Sequence, residues 1–419
     1  MMTFLRTKWI FVVVITLSLL TLVRTQMYYG RIYHGSDAQF YYALAHSLTF
    51  DLDSDITNNL LLTPYTTPFD PSGDGSWSAA PRKVDGGIPS KYPIGLSLIE
   101  VPLLWVGYFV RLTVETIGIS VSGAIGYSWI ELWCVAIGLL VIFAAGVQTL
   151  YGLLIQEYDR LAAILGIIGC WVGTSLFYYS AVFPFMTHAV SFVALTLLLK
   201  VIRDISNTKT VNSSFALLGA GLAGVFLIRP QQFLISLFLL PVFVKVVRTR
   251  PMTDWAVGSI VGGIAILTAI ATQMWFNYSQ FGVVTISGYS TGGEGFNWFA
   301  PHLSMVLFDA SRGLLVFSPV IVIAAIGYIL YARYVPGYVW IAVGNAIAQI
   351  YVVSAWSSPE QGDSFGARMW SDNTAIVAVG LSLLFHRTPV IGRWLTTGGI
   401  LLAVGWTMYL LARFLGIGN

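Results

Sequence analysis

Asp37 is a carboxylate at the start of a predicted helix, soon after the first apolar run. It follows Ser36, a suitable helix N-cap, and it lies one helical turn before Tyr41, on the same face. A carboxylate in the first turn is stabilised by the helix dipole, so a capping role alone is the simpler alternative. A positioned carboxylate can also accept a proton from a reacting hydroxyl. Asp37 is therefore the candidate catalytic residue.

Four cations stand where apolar segments begin or end, namely Lys91, Arg229, Arg312 and Arg368. Arginine recognises phosphate through two parallel hydrogen bonds, and lysine recognises it as a point charge. Ion pairing is the alternative for two of them, because Asp309 lies one turn before Arg312 and Asp363 lies shortly before Arg368. Lys91 can equally be an anchor at a membrane surface. Phosphate binding is the functional interpretation for these cations, and the structural alternatives stay open at this point.

Six aromatic or polar residues near these charges are predicted to contact substrate: Tyr41, Tyr92, His188, Glu294, Trp356 and Asp363. Glu294 stands in a glycine-rich stretch, where the backbone can approach a ligand closely, although an ordinary flexible loop has the same composition. A lone histidine such as His188 is more often a packing residue than a catalyst. Both alternatives stay open at this point.

Three alternating carboxylates, Asp51, Asp53 and Asp55, are similar to the start of a calcium loop. Ile56 and Leu62 stand where that loop needs a glycine and a glutamate, so a solvated acidic turn is the favoured interpretation. The sequence also lacks zinc-ligand spacing, a P-loop and a dinucleotide-binding fingerprint. We therefore predict no cofactor, and a divalent metal is not favoured.

The composition predicts a membrane protein. Hydrophobic residues make up 56% of the 419 residues and charged residues only 10%, against about 25% charged in a soluble domain. Apolar runs of about 20 residues recur along most of the chain, which is typical of membrane helices. The formal charge of +3 is too small to indicate binding of nucleic acid. The fold class expected is all-α and polytopic, with residues 1–419 forming one transmembrane domain.

The basic residues predict the topology, because lysines and arginines of short loops face the cytoplasm. Residues 92–113 contain Pro93, Glu100 and Pro102, and a helix lying at the interface satisfies the charge rule better than a crossing one. About eleven spans then remain, with outer loops at 30–92, 278–312 and 356–371. Their predicted ranges are 9–29, 126–152, 160–180, 185–203, 213–229, 231–247, 253–277, 313–332, 337–355, 372–386 and 395–415.

Interfacial helices are expected on the outer side of this bundle. Phe40, Leu44 and Leu48 are predicted to form an apolar stripe that faces the bilayer, with Asp37 near the level of the headgroups. The middle of the first outer loop, residues 64–87, is rich in Pro, Gly, Ser and Asp and is predicted to be irregular.

This order of features resembles the GT-C superfamily of integral-membrane glycosyltransferases, which includes protein O-mannosyltransferases and lipid A aminoarabinose transferases. The resemblance rests on an acidic residue soon after the first span, on Lys91-Tyr92-Pro93, and on residues 312–319 (RGLLVFSP) and 364–368 (SFGAR). The sequence departs from many members after Asp37, where Ala38-Gln39 replaces a second carboxylate or a tyrosine.

The resemblance implies a polyprenyl-phosphate-linked sugar as the donor and a hydroxyl of a glycan, lipid or protein as the acceptor. Asp37 would be the base of an inverting transfer on the extracytoplasmic face, and the cations would hold the leaving phosphate. A monophosphate donor needs no metal, whereas pyrophosphate donors often use a divalent ion. A bacterial cytoplasmic membrane is the expected location. The alternatives are a transporter or flippase of lipid-linked sugars, or a polysaccharide polymerase or ligase.

Overall fold

The computed structural model describes residues 2–30, 32, 37–62, 87–207, 212–291, 293–362 and 364–417; side chains of residues 2–7, 61 and 207 are excepted. This part of the chain is 76% helical and contains no β-strand, apart from one isolated bridge between Phe296 and Trp356. The predicted all-α class is therefore confirmed. Ser36, Asp363 and residues 64–86 of the predicted excursion 64–87 lie outside the described residues.

Seventeen α-helices occur in the described residues. They are α1 (Met2–Tyr29), α2 (Asp37–His46), α3 (Thr57–Leu61), α4 (Gly95–Thr116), α5 (Trp129–Leu154), α6 (Arg160–Trp171), α7 (Thr187–Asn207), α8 (Asn212–Ile228), α9 (Ile235–Thr249), α10 (Ala256–Phe281), α11 (Gly288–Thr291), α12 (Leu303–Phe308), α13 (Leu314–Phe317), α14 (Val320–Tyr331), α15 (Val339–Ala355), α16 (Ala375–Arg387) and α17 (Val390–Phe414). A 3₁₀ segment, Pro230–Leu234, joins α8 to α9, and another, Arg368–Asn373, precedes α16.

Six helices in the described residues are long and apolar enough to cross a membrane, which is compatible with an integral membrane protein. They span Lys8–Tyr29, Gly95–Thr116, Trp129–Leu154, Pro230–Thr249, Ala256–Phe281 and Val390–Phe414. Five further apolar helices are shorter than the roughly 20 residues that a span needs. The eleven predicted spans correspond to five of the six long helices, the five shorter ones and α7. The number eleven stays a prediction.

Small residues allow the helices to approach closely, as is typical of helix contacts in membranes. Gly219 of α8 faces Gly262 of α10, where a methyl group added to Gly219 would come within 2.1 Å of the Gly262 Cα atom. Gly327 of α14 meets the backbone of Gly380 in α16 in the same way. These crossings hold α8 against α10 and α14 against α16.

The first residue and the middle of α4 contact the same end of the bundle. The Arg203 side chain, on α7, lies 3.6 Å from that of Glu157, just after α5. The C-terminal ends of α7 and α5 therefore lie at the same end of the bundle, and α8 begins there. The last turn of α8 and the first turn of α5 therefore share the opposite end. Gly95 packs on the backbone of Leu227 in that turn of α8, and Gly107 packs on Glu131 in that turn of α5.

Candidate functional site

Asp37 and Arg368 are in direct contact. Nη1 of Arg368 lies 3.0 Å from Oδ2 of Asp37, and the hydroxyl of Tyr92 donates a hydrogen bond of 2.8 Å to Oδ1 of Asp37. The structure thus brings together the predicted base, one predicted phosphate ligand and one predicted substrate contact. Asp363, the sequence-based partner for Arg368, lies outside the described residues.

The helix that carries Asp37 is buried in the protein. Every residue of α2 after Asp37 is buried, including Phe40 and Leu44. The prediction that these two side chains face the bilayer is therefore wrong. They pack with Tyr92 and Leu104, from the segment that leads into α4 and from α4 itself, because a short helix between longer ones finds protein on all its faces. This packing fixes the position of Asp37 at the first turn.

The Arg368 guanidinium is held at the start of a 3₁₀ segment. A bend precedes it, with positive φ at Gln361 and Gly362, and the Gln361 side chain accepts a hydrogen bond of 2.8 Å from the N–H of Met369. Burial lowers the pKa of Arg368, but the charge of Asp37 together with the smaller contributions of Tyr179, Tyr92 and Tyr289 raises the pKa overall. Nε of Arg368 is buried and has no hydrogen-bond partner among the described residues. One donor of this cation is therefore available to a ligand.

Tyrosine rings surround the Asp37 carboxylate. The Tyr92 ring centre lies 5.2 Å from that of Tyr41 and 6.1 Å from that of Tyr289. Burial, followed by the charge of Asp37, raises the pKa of Tyr92 well above its usual value of 10. Tyr92 is therefore a neutral hydrogen-bond donor at any physiological pH. Tyr289 was not predicted to belong to the site, although it lies just before Glu294, in the glycine-rich stretch whose backbone can approach a ligand.

A buried carboxylate that the sequence reasoning missed, Asp372, joins Arg229 to His188. Nη1 of Arg229 lies 3.1 Å from Oδ2 of Asp372 and 2.6 Å from Nδ1 of His188. Ser191 and Gln232 each donate to Oδ2 of Asp372 at 3.1 Å. Asp372 opens a predicted span, and an ionisable residue in such a segment is itself a signal of function.

Lys91, Glu294 and Trp356 form a third cluster. The Lys91 ammonium is ion-paired with Glu294, and the indole N–H of Trp356 donates to the other oxygen of Glu294 at 2.6 Å. The Lys91 Nζ atom also lies 5.5 Å from the Tyr92 ring centre and 5.8 Å from that of Tyr289. The three outer segments predicted to carry function therefore meet here.

Arg312 lies apart from these clusters. Its backbone N–H donates to Asp309 at 3.0 Å, and hydrogen bonds from Ser311, with a smaller contribution from the Arg312 charge, lower the pKa of Asp309. In the described part of the chain, Arg312 lines neither of the two cavities that adjoin Lys91 and Asp37. The structure places it beside Asp309, the alternative partner given by the spacing.

The first of these cavities is an apolar groove of about 500 Å³. Its walls include Phe233, Leu237, Ile286, Phe296 and Trp298, and Lys91 lies among the lining residues. The rings of Phe296 and Trp298 stack at 4.9 Å. The groove offers a long apolar molecule a surface with a cation on it.

The second cavity is a small chamber lined by Asp37, Tyr41, His188 and Arg229. Pro93, Gln231, Tyr289 and Met369 line both the groove and the chamber, so the two adjoin. The free space in the chamber is about 10 Å³, about enough for one water molecule. A polar chamber at the side of an apolar groove suits an amphiphile with a polar head.

The aspartates of the acidic turn hold local hydrogen bonds. Asp51 accepts from Asn59 at 2.7 Å, Asp53 from Ser47 at 2.6 Å and Asp55 from Thr57 at 2.7 Å. Among the described residues, no group of three or more histidine, cysteine, aspartate or glutamate side chains is placed to hold a metal ion.

Three of the four predicted phosphate ligands thus lie around one chamber and its groove. They approach from three separate segments of the chain, and tyrosines fill the space between them. The chain matches no protein-family model and no curated protein, so its functional interpretation rests on this geometry.

Proposed function

We propose that the chain is an integral-membrane glycosyltransferase that moves a sugar from a polyprenyl-phosphate donor to an acceptor hydroxyl. The observation that carries the proposal is the 3.0 Å pair of Asp37 and Arg368 beside an apolar groove. Such a transfer needs a base for the hydroxyl, a cation for the phosphate and an apolar surface for the lipid chain. All three lie side by side.

The groove supports a lipid-linked donor. Burying apolar surface contributes about 25 cal/mol per Å², so a chain lying along Phe233, Leu237 and Ile286 would supply much of the binding energy. Lys91 would meet the phosphate at the polar end of the groove. A water-soluble nucleotide sugar has no apolar chain to place there.

The proposed reaction is a single displacement at the anomeric carbon. Asp37 takes the proton of the acceptor hydroxyl, whose oxygen forms a bond to the anomeric carbon as the bond from that carbon to the phosphate oxygen breaks. The leaving group is polyprenyl phosphate, and the new glycosidic bond has inverted configuration. Arg368 and Lys91 stabilise the charge that grows on the phosphate, with Arg229 beside the chamber.

The closed chamber supports a sequence of events. A sugar does not fit in about 10 Å³, so side chains must move when the donor binds. The donor phosphate would compete with Asp37 for the Arg368 guanidinium, and its binding would release the carboxylate from the ion pair. The base would then become free only when the donor is present.

We further propose about eleven spans, with the site on the extracytoplasmic face of a bacterial cytoplasmic membrane. The position of α4 supports this topology, because its first residue, Gly95, and its middle, at Gly107, contact the same end of the bundle. The cations Lys200 and Arg203 lie near the opposite end, which the positive-inside rule assigns to the cytoplasm. A non-crossing α4 keeps Lys91 and Asp37 on one side.

The test is transfer of radiolabelled sugar from polyprenyl-phosphate donors in membranes that contain the protein. We expect Asp37→Asn to lose transfer by about 10²–10⁴-fold while it still binds polyprenyl phosphate. Asp309→Asn is the matched control, since Asp309 belongs to an outer loop but not to the chamber, and it should retain transfer. Normal transfer by a folded Asp37→Asn variant would refute the assignment of the base. Donor movement across the bilayer without transfer would favour a flippase.

A further inference from the structure

Nδ1 of His188 faces two groups that make opposite demands on it. Nη1 of Arg229 lies 2.6 Å away, and Oδ1 of Asp372 lies 3.2 Å away. Nδ1 would have to accept a hydrogen bond from the guanidinium but donate one to the carboxylate. One nitrogen cannot do both, so the two contacts decide where the imidazole proton sits.

The Arg229 guanidinium determines which nitrogen of His188 carries the imidazole proton. Arginine stays protonated in proteins, and its nitrogens only donate. The shorter contact, from Arg229 to His188, therefore requires an unprotonated Nδ1. Asp372 does not need a proton from His188, because Arg229, Ser191 and Gln232 already donate to it at 3.1–3.2 Å.

We infer that Arg229 and Asp372 fix His188 as a neutral imidazole with its proton on Nε2, which donates a hydrogen bond to an oxygen of the bound lipid-phosphate sugar. Among the described residues, Nε2 has no hydrogen-bond partner. His188 lines the chamber together with Asp37, and its ring packs on Tyr179 with ring centres 4.6 Å apart. His188 is thus a binding residue and Asp372 a positioning residue.

The identity of the ligand in this inference rests on the proposed function. The position of the imidazole proton does not depend on the proposed function. Nitrogen NMR of protein labelled at histidine should show the His188 proton on Nε2, with His188→Gln used to assign the signal. A proton on Nδ1 would overturn the inference whatever the protein binds.

Two substitutions separate the two ring nitrogens. The amide nitrogen of His188→Gln can take the place of Nε2, whereas the amide oxygen of His188→Asn can take only the place of Nδ1. We expect His188→Asn to bind the lipid about tenfold more weakly than wild type, the effect of losing one hydrogen bond. His188→Gln should recover most of that loss, and thermal unfolding should verify that both variants fold.

The probes are polyprenyl phosphate and polyprenyl-phosphate-linked mannose, each in detergent. A loss with both probes identifies a phosphate oxygen as the acceptor, and a loss with the mannose lipid alone identifies a sugar oxygen. Equal affinities of the Gln and Asn variants for both probes would overturn the role of Nε2. If wild-type protein binds neither probe, the proposed function fails and the ligand assignment fails with it, while the NMR result stands.

Discussion

Arg368 lies 3.0 Å from Asp37, so the proposed phosphate ligand and the proposed base neutralise each other when no donor is present. The pair also has a third member, since Tyr92 donates to the same carboxylate. In the proposed reaction, the donor phosphate would compete with Asp37 for Arg368 before the base acts. The consequences of this relationship are measurable.

Arg368→Ala should weaken binding of polyprenyl phosphate. Removing a charged hydrogen-bond donor costs about 1.5–3 kcal/mol, which corresponds to roughly a tenfold to hundredfold loss of affinity. Isothermal titration with the lipid in detergent measures this loss. Arg312→Ala is the matched control and should bind normally, because Arg312 lies beside Asp309. An equal loss of affinity in both variants would indicate that Arg312 also binds the phosphate.

Asp372→Asn should destabilise the protein. The substitution keeps the size of the side chain but leaves Arg229 buried without its carboxylate, and breaking a buried ion pair from one side costs about 3–5 kcal/mol. Thermal unfolding followed by circular dichroism should show a clear drop in Tm. Asp309→Asn, at a more exposed carboxylate, should lower Tm far less. An unchanged Tm for Asp372→Asn would mean that Arg229 does not need this partner.

Tyr92 should contribute stability that is lost in strong alkali. Its pKa is raised by burial and by Asp37, so the folded state favours the protonated phenol. That contribution is complete below pH of about 10, the unfolded pKa, and it falls as pH rises above that value. Unfolding free energy of wild type should therefore decline more steeply above pH of about 10 than that of Tyr92→Phe. Parallel curves for wild type and Tyr92→Phe would contradict the shift of the Tyr92 pKa.

Ser236→Trp should block the lipid chain without disturbing the charges. Ser236 lines the groove, and an indole there would occupy the space of several methylene groups. Affinity for a long polyprenyl phosphate should fall, whereas affinity for a short-chain isoprenyl phosphate should change little. Leu240→Trp, one turn further along α9 at an exposed position, is the control. Equal binding of the long lipid by both variants would show that the chain lies elsewhere.

The position of α4 predicts the labelling of two loops. In a background with Cys134 and Cys170 replaced by alanine, Ile119→Cys after α4 should react with an impermeant maleimide from outside intact cells. Ile155→Cys after α5 should react only after the cells are opened. Both positions are exposed, so burial does not protect them. Labelling of Ile119→Cys only in opened cells would show that α4 crosses the membrane.

The sequence predicted the class of fold and many of the charged residues that meet. Apolar runs predict helices because each run is long and occupies one continuous stretch of the sequence. Charged residues beside such a run can be recognised from the sequence in the same way. The pairing of Asp37 with Arg368 could not be predicted, because it depends on how α2 and the 3₁₀ segment before α16 pack against each other. Spacing offered Asp363 as the partner only because it is near in sequence.

Two errors have one physical origin. Phe40 and Leu44 were predicted to face lipid because an apolar stripe on a helix looks the same whether it meets lipid or protein. Asp372 was missed because a carboxylate at the start of an apolar run is typical of the boundary of a membrane span. Its hydrogen-bond donors are Ser191 of α7, Gln232 of the 3₁₀ segment after α8 and Arg229, and none of these contacts is local.

The one-water size of the chamber has a further consequence, for the fate of an activated sugar. Water is the most abundant hydroxyl compound at any membrane surface, and a free base beside a bound donor would pass the sugar to it. In the closed protein there is room for about a single water, and the carboxylate next to it is already bound to Arg368 and Tyr92. Without a donor, the chamber therefore holds neither a free base nor room for more than about one water, so hydrolysis of the sugar would be possible only in the opened, donor-bound state.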